Sequence, residues 1–224
     1  MANDASESVR KYLKDNYIPH YIFDNTEEHR KEWYINNVYR AYNFGAEMAR
    51  GDYLMFINSD MAFSPNWIEH TFDKLDGNNC MASRLVESGK MPPGPHGVSK
   101  NFGQVPEEYD EEAFLSYANK IREPKVVDGG LFMPLLVKRA DFLKVAGYPE
   151  GNVSPGSDSF HPTIAKRGEP LVSGDVILMD KLKTIGVTHQ TSFESISYHF
   201  QEGEMDDVVS EAEGPTNATV VVAN

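Results

Sequence analysis

Gly51-Asp52-Tyr53-Leu54-Met55-Phe56-Ile57-Asn58-Ser59-Asp60 is the stretch whose reading decides the fold. Residues 53–57 are an unbroken apolar run, with Gly-Asp before it and Asn-Ser-Asp after it. A run so short and so bounded reads as a strand buried on both faces, in the middle of a parallel sheet. At its carboxyl end polarity changes abruptly, which is where open α/β sheets carry their ligands. Asn58 and Asp60, two apart, offer oxygen ligands to a hard divalent cation. The plainer alternative is that they cap the next helix. Ser64-Pro65 supplies a cap and a first-turn proline, and Trp67, Ile68 and Phe72 follow at helical spacing, so Asp60 is left without that local task.

The flanks extend the pattern. Upstream, Asn3-Asp4-Ala5-Ser6 suits a turn and a helix cap, and Val9, Tyr12 and Leu13 carry a helix to about residue 16. Residues 17–23 read as a strand, an edge strand because of Pro19, and 24–31 as a loop. Val38, Tyr42, Gly45 and Ala49 mark one face of a helix over 36–48. Gly45 costs it about 1 kcal/mol relative to Ala, which close approach to a neighbouring strand would offset. Downstream, strands are expected at 80–86, 131–137, 187–193 and 195–200, and helices at 110–121, 139–145 and 175–185. The segments 87–104 and 151–168 are Gly-rich and loop-like. The tail from Gln201 is acidic, with a loose strand expected at 218–223; Asn217-Ala218-Thr219 matches a glycosylation acceptor pattern without meaning in a cytosolic setting. The fold class is α/β: a mostly parallel central sheet flanked by helices.

The 224 residues suffice for one large domain or a domain with an appendage, and 40 % are hydrophobic. With 21 Lys and Arg against 34 Asp and Glu, the net charge is −13, which argues against a nucleic-acid groove or an anionic-membrane patch. It does not forbid an anionic nucleotide held through a metal ion. One cysteine, Cys80, excludes an internal disulfide and fits a reducing compartment. There is no transmembrane run and no signal peptide at Met1-Ala2-Asn3-Asp4, so the expected location is cytoplasmic or peripheral to a membrane.

Several stretches in order resemble glycosyltransferase family 2. Arg40-Ala41-Tyr42-Asn43-Phe44-Gly45 and Ala49-Arg50-Gly51-Asp52 through Asp60 are similar to that family's "ARNxGxxxAxGeYixFLDsDD". Asn3-Asp4-Ala5-Ser6 resembles its "DDGS" turn. Residues 139–148 resemble the stretch ending "GGF" or "GGY". Ser173-Gly174-Asp175 with Leu178, Leu182 and Gly186 resembles "EDxxLxxRLxxxG", and Tyr198-His199-Phe200 resembles "YHY". Each motif alone is weak; together, from Asn3 to about Glu204, their order is specific.

The resemblance implies a GT-A fold over residues 1–204, with a nucleotide-sugar-binding half (1–86), an acceptor-binding half (87–204) and an acidic tail (205–224). It implies inverting transfer from a UDP-, GDP- or dTDP-sugar to a carbohydrate, lipid-linked or protein acceptor, as in polysaccharide biosynthesis, with Mg²⁺ or Mn²⁺. Asp175 is then the general base, Asp60 holds the metal with His199 as a further ligand, and Asn3, Asp4, Asn58 and Asp60 contact the nucleotide-sugar. Asp158 ranks second as base, and Trp33 or Trp67 can stack on a sugar, although core packing is the commoner use of such a ring. Three departures stand out: Asn58 and Gly174 replace acidic residues of the pattern, and Tyr42 stands where the family has Arg. Relative to the family's "PTYN" strand and following helix, the chain reads as N-terminally truncated, with a strand's width vacant beside 53–57 and Asn3 and Asp4 near residues 58–60. The alternatives are a nucleotidyltransferase of related fold and an inactive nucleotide- or carbohydrate-binding remnant.

Overall fold

The computed structural model describes residues 1–90 and 92–200. The tail at 205–224, its expected strand at 218–223 and the Asn217 pattern lie outside the described residues. In chain order the elements are β1 (Ala2–Asn3), α1 (Glu7–Asp15), β2 (Ile22–Phe23), α2 (Tyr34–Met48), β3 (Tyr53–Phe56), β4 (Met61–Phe63), α3 (Trp67–Phe72), β5 (Asn79–Glu87), β6 (Val98–Ser99), α4 (Glu111–Ile121), β7 (Val126–Asp128), β8 (Leu135–Lys138), α5 (Arg139–Lys144), α6 (Gly174–Thr184) and β9 (Thr188–His199). The described residues fall into two compact units, 1–52 with 139–185 and 53–138 with 186–200.

The second unit holds a seven-stranded sheet, ordered β3-β8-β5-β9-β4, with β6 added to β5 and β7 to β9. β5 runs parallel to β9 and to β6, while the β3–β8, β5–β8, β4–β9 and β7–β9 pairs are antiparallel. The sheet is therefore mixed, not mostly parallel. β3 is also not central: among the described strands it pairs only with β8. Leu54 and Phe56 are buried while Tyr53 and Ile57 are 36 % and 43 % exposed. That alternation belongs to a strand covered on one face, which a short apolar run does not distinguish from one covered on both. The central strand is β5, where Cys80, Met81, Ala82 and Val86 are fully buried.

The two short strands expected at 187–193 and 195–200 are one long strand, β9. Its register against β5 jumps from Ser83↔Ser192 to Arg84↔Ile196. Hydroxyls fill the irregularity: Ser83 meets Ser195 at 2.7 Å, Ser195 meets Thr71 at 2.9 Å, and both Ser195 and Thr71 lie within reach of the Trp67 carbonyl. Buried polar groups are thereby satisfied. Beyond the jump, Tyr198 packs with Phe102, Phe114 and Phe200. Its hydroxyl donates to the Gly103 carbonyl and accepts from the Phe102 N–H, fixing the far end of β9. Ser64 does not cap α3; the N-cap is Asn66 in the left-handed region, and Ser64 accepts from Arg122 instead.

In the first unit, Ser6 caps α1 as its sequence implies, accepting from the Val9 N–H. The strand expected over 17–23 shrinks to β2, parallel to β1. α2 buries Tyr39, Ala41 and Ala46, and the Tyr39 ring stacks on Tyr148 at 4.9 Å. A Cβ built on Gly45 would stand 3.5 Å from the Met1 side chain, an ordinary contact, so no close strand approach requires the glycine. Asn43 has a larger part. Its amide donates to the Tyr148 carbonyl and accepts from the Tyr148 N–H. Gly147, at φ +56°, leaves room for it: a Cβ there would stand 2.3 Å from the Asn43 Oδ1.

Candidate active site

Asp175 sits in the first turn of α6, behind the N-cap Ser173. Its Oδ2 accepts from the Tyr39 hydroxyl and the Ser173 hydroxyl, both at 2.9 Å. Its Oδ1 is buried with no hydrogen-bond partner among the described residues. Burial pushes this carboxyl above its ordinary value of 3.8, against the pull of the Ser173 and Tyr39 hydrogen bonds. Burial and the nearby Asp175 charge also hold the Tyr39 phenol far above its ordinary range, so it remains a proton donor. Gly174 acquires a steric reason here: a Cβ would lie 2.5 Å from the Tyr39 ring. The absence of the family's acidic residue at this position is the space that Tyr39 fills. Tyr39 escaped the sequence reading because the helix face was drawn through Val38 and Tyr42.

Asp4, also in the first unit, follows β1 at φ +44°, a left-handed conformation that Asp tolerates better than most residues. Its carboxylate accepts from the Asn25 N–H at 3.0 Å, the Asn25 amide at 2.6 Å and Arg30 at 2.8 Å. The Asn25 amide also donates to the Asn3 Oδ1 at 2.9 Å. Burial would raise the Asp4 carboxyl, but the Arg30 and Asn25 hydrogen bonds outweigh it and hold the group ionised. Asn3 and Asp4 are thus together, organised by Asn25, a buried residue that the sequence reading left in a loop.

In the second unit, three neighbouring strands bring acid, base and acid into line. Glu87 ends β5, His199 ends β9 opposite it, and Asp60 immediately precedes β4, whose Met61 pairs with His199. The His199 Nδ1 lies 2.9 Å from Glu87 and its Nε2 lies 3.1 Å from Asp60. Burial alone would lower the imidazole, but the hydrogen bonds to Asp60 and Glu87 lift it to about 9. Asn58 lies half-buried between β3 and β4. The sequence reading ends the strand at residue 86 and gives Glu87 to the 87–104 loop, whereas Glu87 is the last residue of β5.

The Asp60–His199 pair as it stands is an ion pair, since an imidazole lifted to about 9 carries both ring protons at neutral pH, and a divalent cation would have to displace the Nε2 proton to be shared by the two. Two ligands about 2.1 Å from one octahedral ion stand about 3 Å apart, close to the separation of the two atoms. Glu87, on the other ring nitrogen, holds the orientation of the imidazole. Among the described residues no cluster of three or more His, Cys, Asp or Glu is placed to hold a metal. Mg²⁺ commonly takes one or two carboxylates, with substrate phosphate oxygens and water completing its shell.

Asp158 is exposed, and the backbone N–H groups of His161 and Phe160 hold its carboxyl below the ordinary range. That is the turn-forming use of an aspartate and a poor setting for a base. Trp67 stacks on Phe63 at 4.1 Å. Trp33 is half-buried at the start of α2. No helix of the described residues is long and apolar enough to cross a membrane.

No curated protein matches the sequence. Among solved structures, GalNAc-T7 with UDP, GalNAc and Mn²⁺ is similar in fold, with a TM-score of 0.51 at 15 % identity. The match covers 88 % of this chain and 35 % of that one, so the chain spans about a third of its length. The fold is accordingly α/β and GT-A-like around a mixed sheet. The model named Glycosyl transferase family 2 matches residues 11–128, more than half of the sequence. The chain belongs to glycosyl transferase family 2.

Proposed function

We propose that the chain transfers a sugar from a nucleotide-sugar to an acceptor hydroxyl with inversion, using Asp175 as general base. The observation that carries this is the Asp175 carboxyl. One oxygen is held by two hydroxyls, the other is unpartnered, and burial makes the group more basic than a solvated aspartate. A base so placed takes the acceptor hydroxyl's proton as that oxygen attacks the anomeric carbon from the face opposite the leaving diphosphate. Tyr39 orients the carboxylate. Asp4 and Asn3, set by Asn25, are assigned to the nucleoside, and Asn58 to the donor. Residues 1–86 serve the donor and 87–204 the acceptor.

Asp60 and His199 would hold Mg²⁺ or Mn²⁺, with Glu87 orienting the imidazole. When bound, the ion supplies Lewis-acid neutralisation of the diphosphate's growing charge. UDP in the GalNAc-T7 structure makes UDP-sugars the first donors to test. Isothermal titration with UDP, GDP and dTDP, with and without Mn²⁺, selects the base. Transfer from the matching sugar nucleotides, followed by NMR of the product anomer, then tests the mechanism. Tight Mn²⁺-dependent binding and an inverted product are expected; a retained anomer would remove Asp175 from the role of base.

A further inference from the structure

The first unit contains a cavity of about 450 Å³ between the start of α2 and residues 164–167, within the usual size of a small-molecule site. Its neighbourhood is that of the proposed base. Asn36 and Arg40 line it, and Tyr39, between them on α2, reaches Asp175. On the opposite wall the Ala165 N–H is bonded to the Asn152 carbonyl at 2.9 Å. The Asn152 side chain in turn accepts from the Gly174 N–H at 3.0 Å, one residue before Asp175. No residue of the Asn3–Asp4–Asn25 cluster lines the cavity.

Within the lining, Glu32 and Arg40 form a charge-compensated pair with bonding capacity left over. Arg40, whose side chain is 15 % exposed, is neutralised by Glu32 at 2.7 Å and Glu150 at 3.4 Å, and it also donates to the Asn37 Oδ1. That uses three of the five guanidinium N–H groups and leaves two. Glu32 takes both of its hydrogen bonds, from Arg40 and from the Asn36 amide, on Oε2. Its Oε1 has no partner among the described residues. Burial would raise this carboxyl, but the hydrogen bonds from Arg40 and Asn36 hold it below its ordinary 4.5, so it remains an acceptor. A free acceptor and free donors thus lie side by side on one fixed pair. A hydroxyl both donates and accepts, so two hydroxyls on adjacent carbons satisfy both at once. Trp33 adds a half-buried indole to the wall, an apolar surface suited to the C–H face of a pyranose ring. The lysines of the lining, Lys31 and Lys166, are exposed, where water and salt screen them.

We infer that this cavity is an acceptor subsite for a neutral pyranose unit, recognised through two adjacent hydroxyls. The inference rests on the glycosyltransferase reading, adds the acceptor's chemical class to it and extends the acceptor side to the start of α2. Trp33 stacks on the ring, the Glu32 Oε1 accepts from one hydroxyl and Arg40 donates to its neighbour.

Saturation-transfer NMR titration on the full chain tests it, beside calorimetric titration of UDP, GDP and dTDP in Mn²⁺. The probes are methyl β-D-glucopyranoside, methyl β-D-galactopyranoside and methyl α-D-mannopyranoside, with methyl β-D-glucuronide as the charged counterpart. At least one neutral glycoside should bind, and the glucuronide should bind no more tightly than the glucoside. Affinity should hold from low to high salt, because no net charge is read. Glu32 is exposed, so Glu32→Gln spares the core. Its amide oxygen stays with Arg40 and puts an NH₂ donor where the free acceptor was, which should lower glycoside affinity at least about tenfold, the scale of one lost charge-assisted hydrogen bond. Trp33→Ala should lower it by a similar factor, with most of the loss recovered in Trp33→Phe. Nucleotide affinity should stay at the wild-type value in all three variants. No response from any neutral glycoside, a preference for the glucuronide that salt abolishes, or unchanged affinity in Glu32→Gln would each overturn the inference while nucleotide binding stands. Glycoside binding by a chain that binds none of the three nucleotides would refute the acceptor assignment together with the transferase reading.

Discussion

Tyr39→Phe isolates one hydrogen bond at the proposed base. The substitution keeps the ring that stacks on Tyr148 and fills the space over Gly174, and it deletes only the hydroxyl 2.9 Å from the Asp175 Oδ2. Ser173 remains as the single donor to a carboxylate whose other oxygen has no partner. A hydrogen bond to a charged group is worth about 1.5–3 kcal/mol. At about 1.4 kcal/mol per pKa unit, its loss should raise the Asp175 pKa by about one to two units. The sign follows from which form accepts: the hydroxyl favours the ionised carboxylate, so removing it favours the protonated acid. The acid limb of the pH profile of kcat/KM for transfer should therefore move to higher pH by that amount. Donor affinity should stay close to wild type. The assay is transfer across the acid range, paired with thermal denaturation at the same pH values. A lowered Tm with an unmoved acid limb would show that Tyr39 is only packing, and the reasoning would fail.

Asp175→Asn should lower transfer by at least about 10²-fold, the low end for a positioned general base. It should also stabilise the protein at neutral pH. A carboxyl raised in the folded state binds more protons there than when unfolded, so its contribution worsens as pH rises from its ordinary 3.8 toward the raised value; the Tm gain should fade below that range. Asp60→Ala should abolish Mn²⁺-dependent UDP binding while circular dichroism stays native-like, and unchanged UDP affinity in Mn²⁺ would refute the metal assignment. Glu87→Gln should weaken Mn²⁺ affinity by about 10–100-fold, as loss of an outer-sphere partner does, measured by titration of the metal itself. Asn43→Ala removes two hydrogen bonds to Tyr148 and should cost about 1–3 kcal/mol in urea denaturation.

The elements most legible in the sequence were those whose ends are local. Ser6 and Asp110 cap their helices through contacts within one turn, and Gly186 at φ +84° stops α6 as a terminal glycine does. The order of the sheet was not legible. β8 inserts antiparallel between β3 and β5, a pairing across more than fifty residues of chain that no periodicity encodes. The same holds at the site. Asp60, His199 and Asp175 carry recognisable motifs, but Glu87, Asn25 and Tyr39 act by contacts with residues far along the chain. Gly174 shows the cost of reading a position alone: taken as a missing acid, it is the room that a distant tyrosine needs.

The interleaving of the two units has a consequence for how the chain is made. The chain leaves the first unit at Asp52 and returns at Arg139, whose N–H is bonded to the Asp52 carbonyl at 2.8 Å. α2 is therefore synthesised before α5, Tyr148 and Gly174, against which it packs. At about 5–20 residues per second, a ribosome takes roughly 4–17 s to lay down the intervening segment. During that interval Tyr39 lacks Tyr148, the ring on which it stacks. Slowing translation before Arg139 would lengthen the time the Tyr39 ring waits for Tyr148.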